Sequence, residues 1–195
     1  MQVIEGAKLQ IYSVFLPLHL RNIEKELMDP LVSIIMGSTS DLKVMEKAAE
    51  FLDSIGIPFE MNALSAHRTP EAVEKFAHGA AGRGIKVIIA GAGMAAHLPG
   101  VIAAMTPVPV IGVPVKASLD GMDSLLAIVQ MPPGIPVATV AIDGAMNAGI
   151  LAAQMIATGD AALMEKLIAY KEGLKNKIVQ ANEELKGVHY KHKVD

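Results

Sequence analysis

From residue 31 onward, short apolar, β-branched runs alternate with stretches whose apolar residues recur at helical spacing. No other feature of the chain restricts its possible folds so tightly. LVSIIM (31–36), PFEMNAL (58–64), KVIIAGA (86–92), VPVIGVPV (108–115) and VATVAI (137–142) read as five strands. After the first, DLKVMEKAAEFLDSIG places Leu42, Met45, Ala49, Leu52 and Ile55 on one helical face and closes on Gly56. EAVEKFAHGAAGRG, GMAAHLPGVIAAM and MDSLLAIVQ supply the intervening helices. NAGILAAQMIA and ALMEKLIAYKEGLKNKIVQANEELK then carry the chain helically into a polar tail. Strands apolar on both faces and separated by helices predict a parallel sheet covered on both sides. Right-handed crossovers make it a three-layer α/β/α, flavodoxin-like, doubly wound sheet with a C-terminal helical arm.

Such a sheet binds ligands outside the carboxyl ends of its strands, where the strand order reverses. The loops after the first three strands are GSTSD (37–41), SAHRTP (65–70) and GAGMAAHLPG (91–100), and they hold an uncommon share of the chain's reactive groups. In GSTSD, the glycine allows a tight turn, and the amides and hydroxyls of Ser38, Thr39 and Ser40 suit an anion. Ser40 or Asp41 serves equally well as a helix cap. In SAHRTP, Thr69 and Pro70 read as N-cap and first helical residue, which leaves Ser65, Ala66, His67 and Arg68 in the loop. Arg68 offers a planar fork of donors for phosphate. His67 offers an imidazole, whose ordinary pKa of about 6.5 suits proton transfer near neutrality. GAGMAAHLPG brings Gly91 and Gly93, where backbone can approach a flat ligand, and a second imidazole at His97. It lacks the third glycine and the later acidic residue of a dinucleotide fingerprint.

Composition narrows the classes further. There is no cysteine, which removes thiolate catalysis and disulfides and fits a cytoplasmic protein. His67 and His97 with only Asp41 nearby make a poor metal set, so no metal is expected. No aromatic residue lies between Phe76 and Tyr170, so the third loop has none to stack on a flavin. Net charge is −3 with dispersed basic residues, which argues against nucleic acid. No apolar run reaches the roughly 18 residues of a membrane span. Hydrophobic residues nevertheless make up 52% and charged residues 19% of the chain. That excess predicts a homo-oligomer with large interfaces. Within residues 1–30, QIYSVFLPLHL has the look of a signal-peptide core, but no small-residue cleavage site follows it. Met28 precedes the first strand, so a translation start there, and no export, is the expectation.

IIMGSTSDL (34–42), SAHRTP (65–70), IIAGAGMAAHLPG (88–100), VPVIGVPV (108–115) and DSLLAIVQMPPGIPVATVAI (123–142) closely resemble the N5-carboxyaminoimidazole ribonucleotide mutase family of purine biosynthesis. The resemblance implies a catalytic α/β domain over 31–158, an N-terminal extension over 1–30, a C-terminal helix and polar tail over 159–195, and an octamer. It implies a small ribonucleotide substrate, no cofactor, and an ATP-dependent carboxylase as the source of its carbamate. By position, Ser38 and Arg68 would hold the 5′-phosphate and Asp41 the ribose hydroxyls. Ser40, Ser65, Ala66 and the backbone around Gly93 would line the remainder. His67 matches the family's general acid/base, and His97 a residue beside the base. Two departures stand out: the family has glycine where Met94 stands, and the loop KASLDGMDSL is one residue short. Direct carboxylation of aminoimidazole ribonucleotide is the alternative activity, and a non-catalytic phosphoribosyl-binding module the alternative class.

Overall fold

A computed structural model describes residues 29–194. Strands β1 (Val32–Met36), β2 (Phe59–Ala63), β3 (Val87–Gly93), β4 (Val110–Val115) and β5 (Ala138–Thr139) form one parallel sheet in the order β2-β1-β3-β4-β5. The helices are α1 (Leu42–Ile55), α2 (Pro70–Ala80), α3 (Leu98–Met105), α4 (Met122–Val129), α5 (Ala145–Ala157) and α6 (Ala161–Lys186). The expected doubly wound sheet is present, and its order reverses between β1 and β3. Most of the N-terminal extension, residues 1–28, lies outside the described residues.

Alternation along the central strands divides the core in two. Val32, Ile34 and Met36 of β1 and Ile89 of β3 face α1 and α5, where they meet Met45, Phe51 and Ala152. Ile35 and Ile88 face the opposite layer and pack with Val73 of α2, Ile102 of α3 and Ile128 of α4. Both faces of β1, β3 and β4 are therefore buried, which is why these runs are apolar without alternation. Small residues set the layer spacing. Met45 packs directly over Gly91, and a Cβ placed on Gly149 of α5 would lie 3.1 Å from the Ala48 carbonyl of α1. Leu163 and Leu167 tie the start of α6 to this core, while its second half, beyond Tyr170, is exposed.

The fifth strand departs from expectation. Predicted over 137–142, it pairs only at Ala138 and Thr139, opposite Ile111 and Gly112. The reason lies in β4. Gly112 turns its carbonyl toward β5 and accepts from Val140 at 3.1 Å, and Pro114, two residues on, faces the same way. Proline has no N–H to donate, so the ladder stops there. Its carbonyl still accepts from Asp143 at 2.8 Å, holding the chain beside β4 as it leaves the sheet.

Candidate active site

The loop after β1 makes its turn at Gly37 and enters a short 3-10 turn, Thr39–Asp41, before α1. Ser38 rather than Ser40 or Asp41 is the cap, accepting from the Ser40 amide at 3.4 Å. Asp41 stands at the start of α1 without capping it, and its Oδ1 accepts from the Ser40 hydroxyl at 3.2 Å. Burial pushes the Asp41 carboxyl above the usual carboxylate range. Hydrogen bonds from Ser40 and the Ser38 backbone, and the charge of Arg68, offset this only in part.

The loop after β2 is held by Thr69 in a way the capping pattern does not predict. Helix α2 begins at Pro70 as expected, yet the Thr69 hydroxyl caps nothing. It accepts from the Ser65 amide at 3.0 Å and donates to the Ser65 carbonyl at 3.2 Å. With the Thr69 amide also donating to the Ser65 carbonyl, residues 65–69 close into one turn that holds out His67 and Arg68. Arg68 then lies across two loops, donating from Nη2 to the Gly37 carbonyl at 2.6 Å and from Nε to Ser65 Oγ at 3.3 Å. Its remaining N–H groups stay available to an anion.

The loop after β3 brings the second imidazole. Nε2 of His67 lies 2.9 Å from Nδ1 of His97, across thirty residues of sequence, and the rings meet edge to face at 5.0 Å. One proton can bridge the pair, with the donor set by the tautomer. Close packing fixes this loop against the next strand, since a Cβ on Gly93 would lie 3.1 Å from the Val115 carbonyl and 3.3 Å from Ala117 Cβ.

These loops enclose a cavity of about 470 Å³, a size suited to a small metabolite. Of the residues proposed from sequence, Ser38, Ser40, Asp41, Ser65, Ala66, His67, Arg68 and Gly93 all line it. His97 does not line it but touches His67, which does. Gly37, Ala92, Met94, Ala95 and Leu98 also line it from the loops singled out in the sequence, whereas Ala117 in the loop after β4 was missed. Ala117 could have been anticipated, because β4 lies beside β3 and its carboxyl end opens on the same edge. No group of three or more His, Cys, Asp or Glu among the described residues could hold a metal ion.

Met94 also lines the cavity, in an unusual conformation. Its φ is +55°, in the left-handed region that a side chain makes unfavourable by about 1–2 kcal/mol. The glycine the family resemblance places there would adopt it freely. The loop KASLDGMDSL is also left-handed at two positions, with φ of +43° at Leu119 and +54° at Asp120, just ahead of α4. A 2.9 Å ion pair from Lys116 to Asp120, and a 2.9 Å hydrogen bond from the Lys116 amide to Asp143, hold that loop in place.

Comparison with known proteins accounts for the same segments. Residues 31–177 match the family model described as AIR carboxylase. The N5-carboxyaminoimidazole ribonucleotide mutase of Pyrococcus abyssi is 58% identical over 147 residues, 75% of this chain and 84% of that protein. The phosphoribosylaminoimidazole carboxylase of Schizosaccharomyces pombe is 53% identical over 164 residues, 84% of this chain but only 30% of that longer protein. The crystal structure of Treponema denticola PurE superposes with a TM-score of 0.74 at 31% identity, covering 80% of this chain and 99% of that one. The family match begins at the first strand, runs well into the last helix and contains every loop that lines the cavity, so the chain belongs to the AIR carboxylase family.

Proposed function

We propose that this protein acts in purine biosynthesis and interconverts N5-carboxyaminoimidazole ribonucleotide and 4-carboxy-5-aminoimidazole ribonucleotide. The observation that carries this reading is that His67, braced by His97 at 2.9 Å, lines the same cavity as the hydroxyls of Ser38, Ser40 and Ser65 and the Arg68 guanidinium. A phosphate fits beside Ser38 and Arg68, a ribose beside Asp41, and an aminoimidazole between Ser40, Ser65, Ala66 and the backbone of Gly93. His97 holds the His67 ring in place.

His67 then works in both directions. Its imidazolium protonates the exocyclic nitrogen as the bond from that nitrogen to the carboxyl carbon breaks. The bonding pair stays on nitrogen and carbon dioxide is set free. The aminoimidazole is an electron-rich enamine, and its ring carbon attacks the retained carbon dioxide to form the new carbon–carbon bond. Neutral His67 removes the proton from that ring carbon, restoring aromaticity and its own charge. No proton is gained or lost overall, and the chemistry asks for no metal or organic cofactor.

A second reading is direct carboxylation of aminoimidazole ribonucleotide, favoured by the carboxylase name of the Schizosaccharomyces pombe relative. Purified protein offered each ribonucleotide separately, and followed by ultraviolet absorbance, distinguishes the two. Conversion of the carbamate without added bicarbonate supports the mutase, whereas conversion of aminoimidazole ribonucleotide alone, dependent on bicarbonate, overturns it. Replacing His67→Asn is expected to lower kcat by about 10²–10⁴ with nucleotide binding retained; near-normal turnover would remove His67 from the mechanism.

We read residues 31–158 as the catalytic domain and 159–195 as an appended arm, in a cytoplasmic homo-octamer fed by an ATP-dependent carboxylase. Assembly is supported by the face of α4, where Met122, Leu126 and Val129 are all about half exposed at helical spacing. No described helix is long and apolar enough to cross a membrane.

A further inference from the structure

The cavity has two chemically different halves. Ser38, Ser40, Asp41, Ser65 and Arg68, from the loops after β1 and β2, make one half polar. The loops after β3 and β4 make the other half small and apolar, with Ala92, Ala95 and Ala117 around Gly93. Ala92 and Leu98 are buried and form its floor, whereas Met94 is 59% exposed and stands at its mouth. Met94 is the one long, flexible apolar side chain among the lining residues.

Two facts about Met94 point away from a structural role. Its backbone is held where a side chain is disfavoured, so a glycine would sit there with less strain. Within the single chain the residue is 59% exposed, so little apolar burial inside the chain compensates. Strain held at a cavity rim without a packing benefit is a mark of function. All four described non-glycine residues with positive φ (Met94, Leu119, Asp120 and Asp143) follow β3, β4 or β5, on the same carboxyl edge as this apolar half. Of the four, only Met94 lines the cavity.

We infer that Met94 is a containment residue, closing the apolar half of the cavity over the carbon dioxide released during the proposed mutase reaction. The inference rests on that reading, and the chemistry of the intermediate supports it. Carbon dioxide has no charge and no net dipole, so it resides among alanines and a thioether chain rather than beside serines and arginine. Between cleavage of the nitrogen–carbon bond and formation of the carbon–carbon bond, no covalent bond holds it. Recapture by the ring carbon yields the carboxylated product. Escape leaves aminoimidazole ribonucleotide with a free amino group, solvent returns a proton to His67, and the lost gas hydrates to bicarbonate. Met94 thus governs the ratio between these outcomes, without taking part in proton transfer.

The test measures that ratio with the full chain. N5-carboxyaminoimidazole ribonucleotide is supplied in bicarbonate-free buffer, and aminoimidazole ribonucleotide released is compared with 4-carboxy product formed, after subtracting enzyme-free decomposition. Wild-type protein is expected to release little. Met94→Gly and Met94→Ala should raise the released fraction several-fold, and Met94→Leu, which keeps an apolar cover, should stay near wild type. Met94→Gly should also melt at a higher temperature than wild type, separating loss of containment from loss of folding. An unchanged ratio in both Met94→Gly and Met94→Ala overturns the inference while leaving the mutase reading intact. A changed ratio accompanied by an altered assembly mass in sedimentation also overturns it, because Met94 would then act as an interface residue. Failure of the wild-type protein to convert the carbamate at all overturns the mutase reading, and the inference with it.

Discussion

Two sets of carboxylate, arginine and hydroxyl groups sit at opposite ends of the β1–β2 pair, built from the same side-chain types and finished differently. Toward the amino end, Glu60 takes both guanidinium nitrogens of Arg83, at 2.8 and 2.9 Å, and the hydroxyl of Ser33 at 2.8 Å. Arg83 also lies 5.2 Å from the ring centre of Phe76. Burial raises the Glu60 carboxyl's pKa, but the bonds from Arg83 and Ser33 outweigh it, and the group ends below its ordinary range. At the carboxyl end, Asp41 takes the Ser40 hydroxyl at a longer 3.2 Å and no guanidinium, and Arg68 bonds a carbonyl and a hydroxyl rather than any carboxylate. Here burial prevails and the Asp41 carboxyl ends above its ordinary range. The first set is closed upon itself and serves the fold. The second keeps bonding capacity open toward a cavity, which is what a site prepared for a phosphate and hydroxyls requires.

The comparison is broken most directly at the two arginines' partners. Arg68→Met removes charged donors from the cavity. Hydrogen bonds to charged groups contribute about 1.5–3 kcal/mol, so kcat/KM should fall roughly 10- to 150-fold, chiefly through KM. Steady-state kinetics with the ribonucleotide measures this, and a melting curve should show little change. Loss of melting temperature without a kinetic effect would make Arg68 as structural as Arg83 and dissolve the contrast.

Glu60→Gln should do the reverse, leaving kinetics unchanged and costing about 1 kcal/mol for a partly exposed pair, or roughly 2–4 °C in melting temperature. Its pH dependence sharpens the point. The folded-state pKa of Glu60 lies below its ordinary 4.5, so its ionised form contributes stability that is fully present above that value and lost as pH falls through the folded pKa. The gap between wild type and variant should therefore be constant near neutrality and close on acidification below about pH 4.5.

How far these differences can be read from sequence depends on what enforces them. The sheet order and the convergence of the three loops were legible, because both-faces-buried strands need long apolar runs and doubly wound topology then dictates which loops meet. The length of β5 was not, since VATVAI is apolar throughout and only Pro114 on the neighbouring strand ends the pairing. Nor was the Thr69 hydroxyl, because a threonine before proline at a helix start fits a cap equally well, and only the tight 65–69 turn redirects it. His97 and His67 could be placed on neighbouring loops, but not 2.9 Å apart. Glu60 carried no sequence signal at all, lying within an edge strand and meeting Arg83 through tertiary packing alone.

The smallest effect tests the open set from within. Asp41 has a folded-state pKa above its ordinary 3.8, so its ionised form costs stability once pH exceeds the folded pKa. Asp41→Asn removes the charge and keeps an oxygen able to accept from Ser40 and the Ser38 backbone. Melting temperature should rise slightly at neutral pH, by less than the roughly 2–4 °C that corresponds to 1 kcal/mol in a chain of this size. The gain should disappear as pH falls below about 3.8, where aspartate is protonated in both folded and unfolded chains. Activity should fall in the same variant, because the amide is a weaker acceptor for sugar hydroxyls than a carboxylate. A variant less stable than wild type at neutral pH would mean that Asp41 is anchored as firmly as Glu60. The carboxyl edge would then be another closed structural set, and its position beside the cavity would say nothing about binding.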